Sequence, residues 1–578
     1  MRPTTQQARA SFADVADTKI RLTCGADGGV WASRIPGSKR AVDGTWLMPA
    51  TLDTCMELRK HRVIFSPTLE QCETRADKVR RYIDSVKRAD QAEPLKPVPI
   101  KAPYSLYQHQ VKAYNIALAL RGAALLMDMG TGKTLTTVAV TGRRFLDGRV
   151  KRVLIVAPTS VCAVWPQEYQ KFGDFPCRVA LLLGDHAQRV RQLKWLCAPA
   201  PTGMEEPLRV AVINYESAWR LKDGKTDYLQ QYDADLVVCD ESQRIKSPTA
   251  KQSKALWALG AKARYRIILS GTPIQKDTRD IWSQYRFLDP SVFPMSYGSF
   301  QARYAIMGGF EGRQYIGARN IEELTRKTHA CGFRIKKEEC LDLPPKTYED
   351  YPVELDPKSK TLYKQLQKQS IAELENGGEV TANHVLVRML RLQQLTGGFL
   401  VDDKGERHQV NTAKLDALSD IVESLVLDEG KKLIIFSRFL AEMDAIQQRV
   451  EPMLKKERLS LVRIDGSVKA RDRGGIVQRF QYDPACRVFL GELDACAEGL
   501  TLTAAQTVVY YSVNWNYAKY QQSADRVHRI GQTGTCTYIH LVAPGTIDAK
   551  IMKALKTKED LAKSVVDNWR SILSEEEE

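Results

Sequence analysis

The chain has 578 residues, of which 43% are hydrophobic and 27% charged, and it carries a formal charge of +16. That length is too great for one core and predicts roughly three to five domains or subdomains of ordinary globular composition. The positive balance favours a polyanionic partner, and the lack of any long apolar run excludes a helical membrane protein. The opening MRPTTQQARASFADVADTK has no apolar signal core and carries Asp14 and Asp17, so neither export nor transit is expected and the expected location is intracellular. Twelve cysteines lie scattered without a C-x-x-C pair, a spacing that predicts no zinc and no disulfide framework.

In chain order, residues 1–90 read as a small separate α+β domain. Lys19 to Cys24, Val30 to Ile35 and His61 to Phe65 alternate as short strands, while Thr51 to Lys60 and Glu70 to Arg88 read as helices. Residues 91–103 include PLKPVPIKAP, whose Pro94, Pro97, Pro99 and Pro103 predict an extended, semi-rigid linker. Over 104–290, LLMDM, VLIVAP, VAVIN, DLVVCDE and RIILSGTP each read as a buried parallel strand ending in a polar loop. Residues 291–410 lose that rhythm and read as a mostly helical insertion, with helices over Lys358 to Leu374 and Ala382 to Leu395. KLIIFS, LVRIDG, CRVFLGE, TVVYYS and TYIHLVAP restore the rhythm over 411–545, and 546–578 reads as amphipathic helix with an acidic tail. The expected fold class is therefore α/β, with two parallel-sheet lobes separated by a helical insertion.

The chemistry begins in ALLMDMGTGKTLTTVAV, where a strand enters a glycine loop and then a helix. Gly130, Thr131 and Gly132 let backbone N–H groups approach phosphate oxygens, Lys133 suits the β- and γ-phosphates, and the Thr134 hydroxyl suits Mg²⁺. The strict pattern calls for glycine where Met127 stands. About a hundred residues on, ADLVVCDESQ delivers Asp240 and Glu241 to the end of a strand, the first suited to Mg²⁺ and the second to polarising water. Ser270 and Thr272 of LSGTP are candidates for sensing the γ-phosphate or linking the lobes. Upstream, Gln108 of SLYQHQ offers a donor and an acceptor to an adenine edge.

In QQSADRVHRIGQ, Arg526 and Arg529 stand three apart on an expected helix, so both guanidinium groups can point one way toward charge on a transferring phosphate, and Gln522 joins them. Thr159, Ser437, Arg438, Gly466, Ser467 and Thr501 each end a strand or loop and are candidates for holding a phosphodiester backbone.

Taken in order, LYQHQ, DMGTGKT, LIVAPTSVCAVWPQEYQKF, DESQ, LSGTPIQ, LIIFSRF, RIDGSVKARDR, EGLTLTAAQTVVYYSVNWN and QQSADRVHRIGQT resemble the motor of the Swi/Snf-type double-stranded DNA translocases of helicase superfamily two. The resemblance covers roughly residues 104 to 545, and the combination of HRIGQ, WN and LTAA is specific to that family. It implies two RecA-like lobes, ATP with Mg²⁺ as cofactors, and DNA bound across both lobes. Lys133, Thr134, Asp240, Glu241, Arg526 and Arg529 fall on the family's catalytic positions. The chain departs from the pattern with Gln243 for a histidine, which makes Gln243 a candidate for altered coupling between hydrolysis and DNA, with Thr501 for an asparagine, Tyr517 for a proline, and Cys496 with Ala497 for a glycine pair. LVAPGTIDAKIMKALKTKEDL resembles the brace helices after the second lobe. VWASRIPGSKRAVDGTWLMPATLDTCMELRK resembles the HARP-like recognition module of annealing helicases, which implies binding to branched DNA; a protein-docking domain is the competing reading. The function expected is an ATP-driven translocase on duplex or forked DNA. A strand-separating helicase, an ATP-switched DNA clamp and a motor subunit of a larger complex remain open alternatives.

Overall fold

A computed structural model describes residues 7–13, 19–35, 37–274, 277–294, 296–308, 314–340, 344–376, 382–402, 405–496, 500–513, 515–529 and 531–556. The acidic tail, most of the expected brace region and Ala497 lie outside the described residues. The chain divides into two compact units, Met1–Cys340 and Leu341–Glu578.

The first unit opens with a five-stranded sheet in the order Lys39–Arg40, Trp46–Pro49, Lys19–Thr23, Arg9–Phe12, Ile64–Phe65. Period-two patterning shows in Lys19–Thr23, where Ile20 and Leu22 are buried between exposed neighbours. Two capped helices cover this sheet. Thr51 accepts from Thr54 N to start Leu52–Lys60, and Ser66 with Pro67 starts Pro67–Arg88. Their core includes Ala10, Ile20, Leu22, Met48, Leu58 and Phe65. The expected strand at Val30 to Ile35 is corrected to a helix over Ala26–Ala32. Ala32 and Ile35 are buried while Val30 is exposed, a three-residue spacing that suits a helical turn and not an alternating strand.

The proline-rich segment is strapped down and does not act as a free spacer. Leu95 N donates to Asn115 Oδ1 at 2.7 Å, Asn115 Nδ2 donates to Glu93 O at 2.8 Å, and the Tyr114 hydroxyl donates to Pro97 O at 3.1 Å. Proline removes donors from this stretch, and polar side chains of the helix Gln108–Ala119 satisfy what remains.

The larger sheet of the first unit has seven strands in the order Gly332–Ile335, Gly122–Met127, Tyr265–Leu269, Leu236–Asp240, Arg152–Ala157, Leu208–Asn214, Cys177–Leu181. All pairings are parallel. Gly122–Met127 and Leu236–Asp240 are buried at every residue, as expected of strands covered by helices on both faces. Because the strands run one way, Met127, Asp240 and Leu269 all end on one edge, where an α/β sheet presents its loops.

The second unit carries a six-stranded, all-parallel sheet in the order Lys346–Pro352, Cys536–Val542, Thr507–Tyr510, Leu433–Ser437, Cys486–Glu492, Ser460–Ile464. Helices Pro357–Asn376, Ala382–Thr396 and Ile547–Lys556 belong to this unit. The expected helical insertion over 291–410 is corrected in part, since it contributes Gly332–Ile335 to the first sheet and Lys346–Pro352 to the second. No described helix is long and apolar enough to cross a membrane.

Candidate nucleotide-binding site

The glycine loop lies between the strand Gly122–Met127 and the helix Lys133–Leu146. Gly130 and Gly132 have φ of 80° and 87°, the left-handed region that side chains rarely adopt. A Cβ on Gly132 would sit 2.1 Å from Gln110 Nε2, so a larger residue there would displace that amide as well as strain the backbone. Lys133 is buried and donates to Met127 O at 2.8 Å and Asp128 O at 3.2 Å, which holds its ammonium within the loop. Thr131 Oγ1 donates to Asp128 O at 2.7 Å, and Thr134 stands half-buried in the first turn of the helix.

The glutamine that meets this loop is Gln110. It is buried, donating through Nε2 to Thr131 O at 3.0 Å, and His109 Nε2 lies 2.8 Å from the same oxygen. Gln108 is exposed, and its Oε1 accepts from Ala92 N at 2.8 Å, which ties it to the proline strap. A helix turns successive residues by 100°, so the two glutamines face different ways. Gln110 was the residue missed in the sequence, because its partner lies in a loop twenty-one residues on.

Asp240 ends the strand Leu236–Asp240 and Glu241 follows it, two positions across the sheet from the loop's own strand. Trp165 Nε1 donates to Asp240 Oδ2 at 3.2 Å, and Glu241 N donates to Oδ1 at 3.0 Å. Burial first, and then the Glu241 charge, push the Asp240 carboxyl up to about 7, while the Lys133 charge opposes them. Two buried acids beside a lysine and a phosphate-type loop form a donor set whose chemistry fits a divalent cation carried with a nucleotide.

Glu241 has φ of 51°, a left-handed conformation that turns its side chain away from the strand. Its Oε2 accepts from Gln243 Nε2 at 2.7 Å, Gln243 Oε1 accepts from Ser270 Oγ at 2.7 Å, and Ser270 Oγ accepts from Thr272 N at 3.1 Å. The structure therefore joins all three candidate coupling residues to Glu241 in one line. The amide at position 243 does this as a simultaneous donor and acceptor. Thr159 is exposed and accepts from Asn214 Nδ2 at 3.1 Å.

Charging a buried Asp240 opposes folding, which fixes the sign of a pH effect. The folded carboxyl sits at about 7 against 3.8 for an ordinary aspartate, so stability falls as pH rises between those values and is level above them. Asp240→Asn should therefore stabilise the nucleotide-free, metal-free protein at pH 8 by on the order of 2–4 kcal/mol, with the difference fading toward pH 4. Thermal or urea unfolding at the two pH values checks this; an asparagine variant less stable at pH 8 would contradict it.

In the second unit, Gln522 lies on the helix Tyr517–Ala524, whereas Arg526 and Arg529 follow it in a turn. The expectation of a helix carrying both arginines is thus corrected. Arg526 N pairs with Ser523 O, and Arg526 Nε reaches back to Gln522 O at 3.0 Å, satisfying a carbonyl at the helix end. Both guanidinium groups still converge, since Nη1 of Arg526 and of Arg529 lie 3.4 and 3.2 Å from Leu500 O. Arg529 also donates to Thr501 Oγ1 at 2.8 Å.

Ser437, a candidate for holding a phosphodiester backbone, is fully buried and donates to Glu442 Oε2 at 2.6 Å. Ser512 Oγ and Phe439 N also reach that oxygen, and burial pushes the Glu442 carboxyl up. Arg438 donates to Gln393 Oε1 at 2.7 Å and stacks 3.8 Å from the Trp515 ring, and burial brings its guanidinium down to about 10. Gly466 N donates to Glu492 Oε2 at 2.7 Å, while Ser467 donates through both N and Oγ to Asp465 Oδ1. These four candidates are held by their own lobe.

The family model described as SNF2-related domain matches residues 107–397, half of the chain, and the Helicase conserved C-terminal domain model matches 413–531. The chain is 27% identical over 494 residues to the DNA annealing helicase and endonuclease ZRANB3 of Mus musculus, covering 83% of this chain and 42% of that protein. It is 28% identical over 555 residues to the TATA-binding protein-associated factor mot1 of Aspergillus fumigatus, covering 85% and 28%. Among solved structures it is similar to the Sulfolobus solfataricus SWI2/SNF2 ATPase core in complex with dsDNA, with 27% identity, coverage of 84% and 97%, and a TM-score of 0.38. The chain thus spans less than half the length of these curated relatives. With the glycine loop, the Asp240–Glu241 strand end and the arginine turn each in the expected order, the chain belongs to the SNF2-related family of helicase-like ATPases.

Proposed function

We propose that this chain is a DNA-dependent ATPase that translocates on double-stranded or forked DNA, reannealing strands or displacing bound protein. The observation that carries this reading is the line from Glu241 through Gln243 to Ser270 and Thr272, beside a buried Lys133 and Asp240. In this reading Gly130, Thr131, Gly132 and Lys133 cradle the phosphates, and Glu241 orients the attacking water and accepts its proton. Thr134 and Asp240 would hold Mg²⁺, whose chemistry is to neutralise charge on the β- and γ-oxygens. Arg526 and Arg529, whose guanidinium groups converge on Leu500 O, would serve charge on the transferring phosphate, and Gln522 would join them. Gln243 and Ser270 make the position of Glu241 depend on the Ser270 to Thr272 loop, so a change in that loop alters water activation. The family and the DNA named for its annealing-helicase relative support DNA as the partner.

The N-terminal domain is proposed to recognise branched DNA. A cleft of about 660 Å³ separates it from the first lobe. Trp31 and His61 stack there at 4.1 Å, and Arg34 and Arg80 line the same space, a combination suited to an unpaired nucleotide and its phosphate. Replacing Trp31 and His61 together by alanine should leave ATPase stimulation by blunt duplex within about twofold and remove any added stimulation by a fork. A fork preference that survives the change would refute the recognition role.

A further inference from the structure

Besides the packing of Ile83 and Val86 into the core of the first lobe, the N-terminal domain makes polar contacts with one helix of that lobe, and that helix leads into a strand paired with the phosphate-loop strand. Asp53 forms a two-pronged ion pair with Arg326, with Nη1 to Oδ1 at 3.0 Å and Nη2 to Oδ2 at 3.2 Å, and Lys327 Nζ lies 3.9 Å away. Lys87 Nζ donates to His329 O at 2.6 Å. All three lobe residues lie on the helix Ile321–Ala330, which the Tyr285 hydroxyl anchors through Thr328 O at 2.6 Å. Two residues later the chain becomes the strand Gly332–Ile335, in register with Ala124 to Met127 of the phosphate-loop strand. A Cβ on Gly332 would lie 2.9 Å from Ala124 O, so the two strands approach as closely as backbones allow there.

Arg334 stands on that strand. Its Nη1 lies 3.1 Å from Leu126 O, 2.8 Å from Asp128 Oδ1 and 3.3 Å from Gly271 O. Lys337 N donates to the other oxygen, Asp128 Oδ2, at 3.2 Å, and Asp128 N donates to Ile335 O at 3.2 Å. One guanidinium nitrogen thus ties the entry to the phosphate loop to the loop carrying Ser270 and Thr272.

We propose that Arg334 is a positioning residue of the nucleotide site, and that the Asp53–Arg326 latch lets the N-terminal domain set nucleotide affinity through it. The covalent path from Arg326 to Arg334 is eight residues of one helix and one strand, so a shift of the helix moves the strand that carries the clamp. The proposal rests on the nucleotide-site reading above and adds to it a route of control from the N-terminal domain.

Fluorescent ADP binding to the full chain tests it, because affinity is read whether or not the protein hydrolyses ATP or responds to DNA. Arg334→Gln should weaken binding about tenfold, and Asp53→Ala and Arg326→Gln should each weaken it about threefold. Arg334→Gln combined with Asp53→Ala should be no weaker than Arg334→Gln alone, since the latch acts through the clamp. Arg21→Ala breaks the Arg21–Asp43 pair of 2.8 Å elsewhere in the same domain and should leave affinity unchanged. Unchanged affinity in both latch variants, an equal loss in Arg21→Ala, or a double variant showing the product of the single effects would overturn the proposal.

Discussion

Glu241→Gln is expected to keep nucleotide affinity within a few-fold and to lose ATP turnover by about 10²–10⁴. The variant retains shape and can still pair with Gln243, which reaches Glu241 Oε2 at 2.7 Å, so the loop geometry should survive. What it loses is the carboxylate that accepts a proton from the attacking water. The left-handed backbone at Glu241 supports this assignment, because a non-glycine residue there is held against a cost and is found where a side chain must be aimed. Single-turnover hydrolysis beside equilibrium binding of a fluorescent ATP analogue separates the two effects. Turnover within tenfold of the parent would remove Glu241 from the chemistry.

Arg529→Ala is expected to lower turnover on the order of 10³ while nucleotide affinity changes by less than tenfold. Leu500 O and Thr501 Oγ1 hold one nitrogen of its fork, and Arg526, sharing Leu500 O, is the more buried of the pair. Arg529→Lys should fail to restore the rate, because an ammonium is a point charge without the planar fork. Equal turnover in Arg529→Ala and parent would refute the assignment, and full rescue by lysine would reduce the role to simple charge.

How much of this was legible in the sequence follows from whether each signal is local. Cys486–Glu492 matches the expected CRVFLGE residue for residue, because a strand buried on both sides is a continuous apolar run bounded by turns. Lys346–Pro352 was invisible for the opposite reason. It is an edge strand of sequence KTYEDYP, mostly exposed, and carries no hydrophobic pattern to read. Gly332–Ile335 is only four residues and begins with glycine, so nothing in it signals a place beside the phosphate-loop strand. The glycine loop, Asp240 and Glu241 were readable because their chemistry lies within a few residues of a strand end. Gln110, Trp165 and Arg334 were not, since each acts on a partner far along the chain. The strand-end candidates Ser437 and Arg438 were placed correctly by position, but whether their side chains face solvent depends on Glu442, Gln393 and Trp515, which no local pattern reveals.

The central claim is that nucleotide hydrolysis in this chain answers to duplex DNA. Its most direct test is steady-state ATP hydrolysis by the full chain with no DNA, single strands, blunt duplex and forked duplex, using Lys133→Ala as the blank. The account predicts strong stimulation by duplex or fork and none in the Lys133→Ala variant. Stimulation by single strands alone, or no response to any DNA, would contradict it.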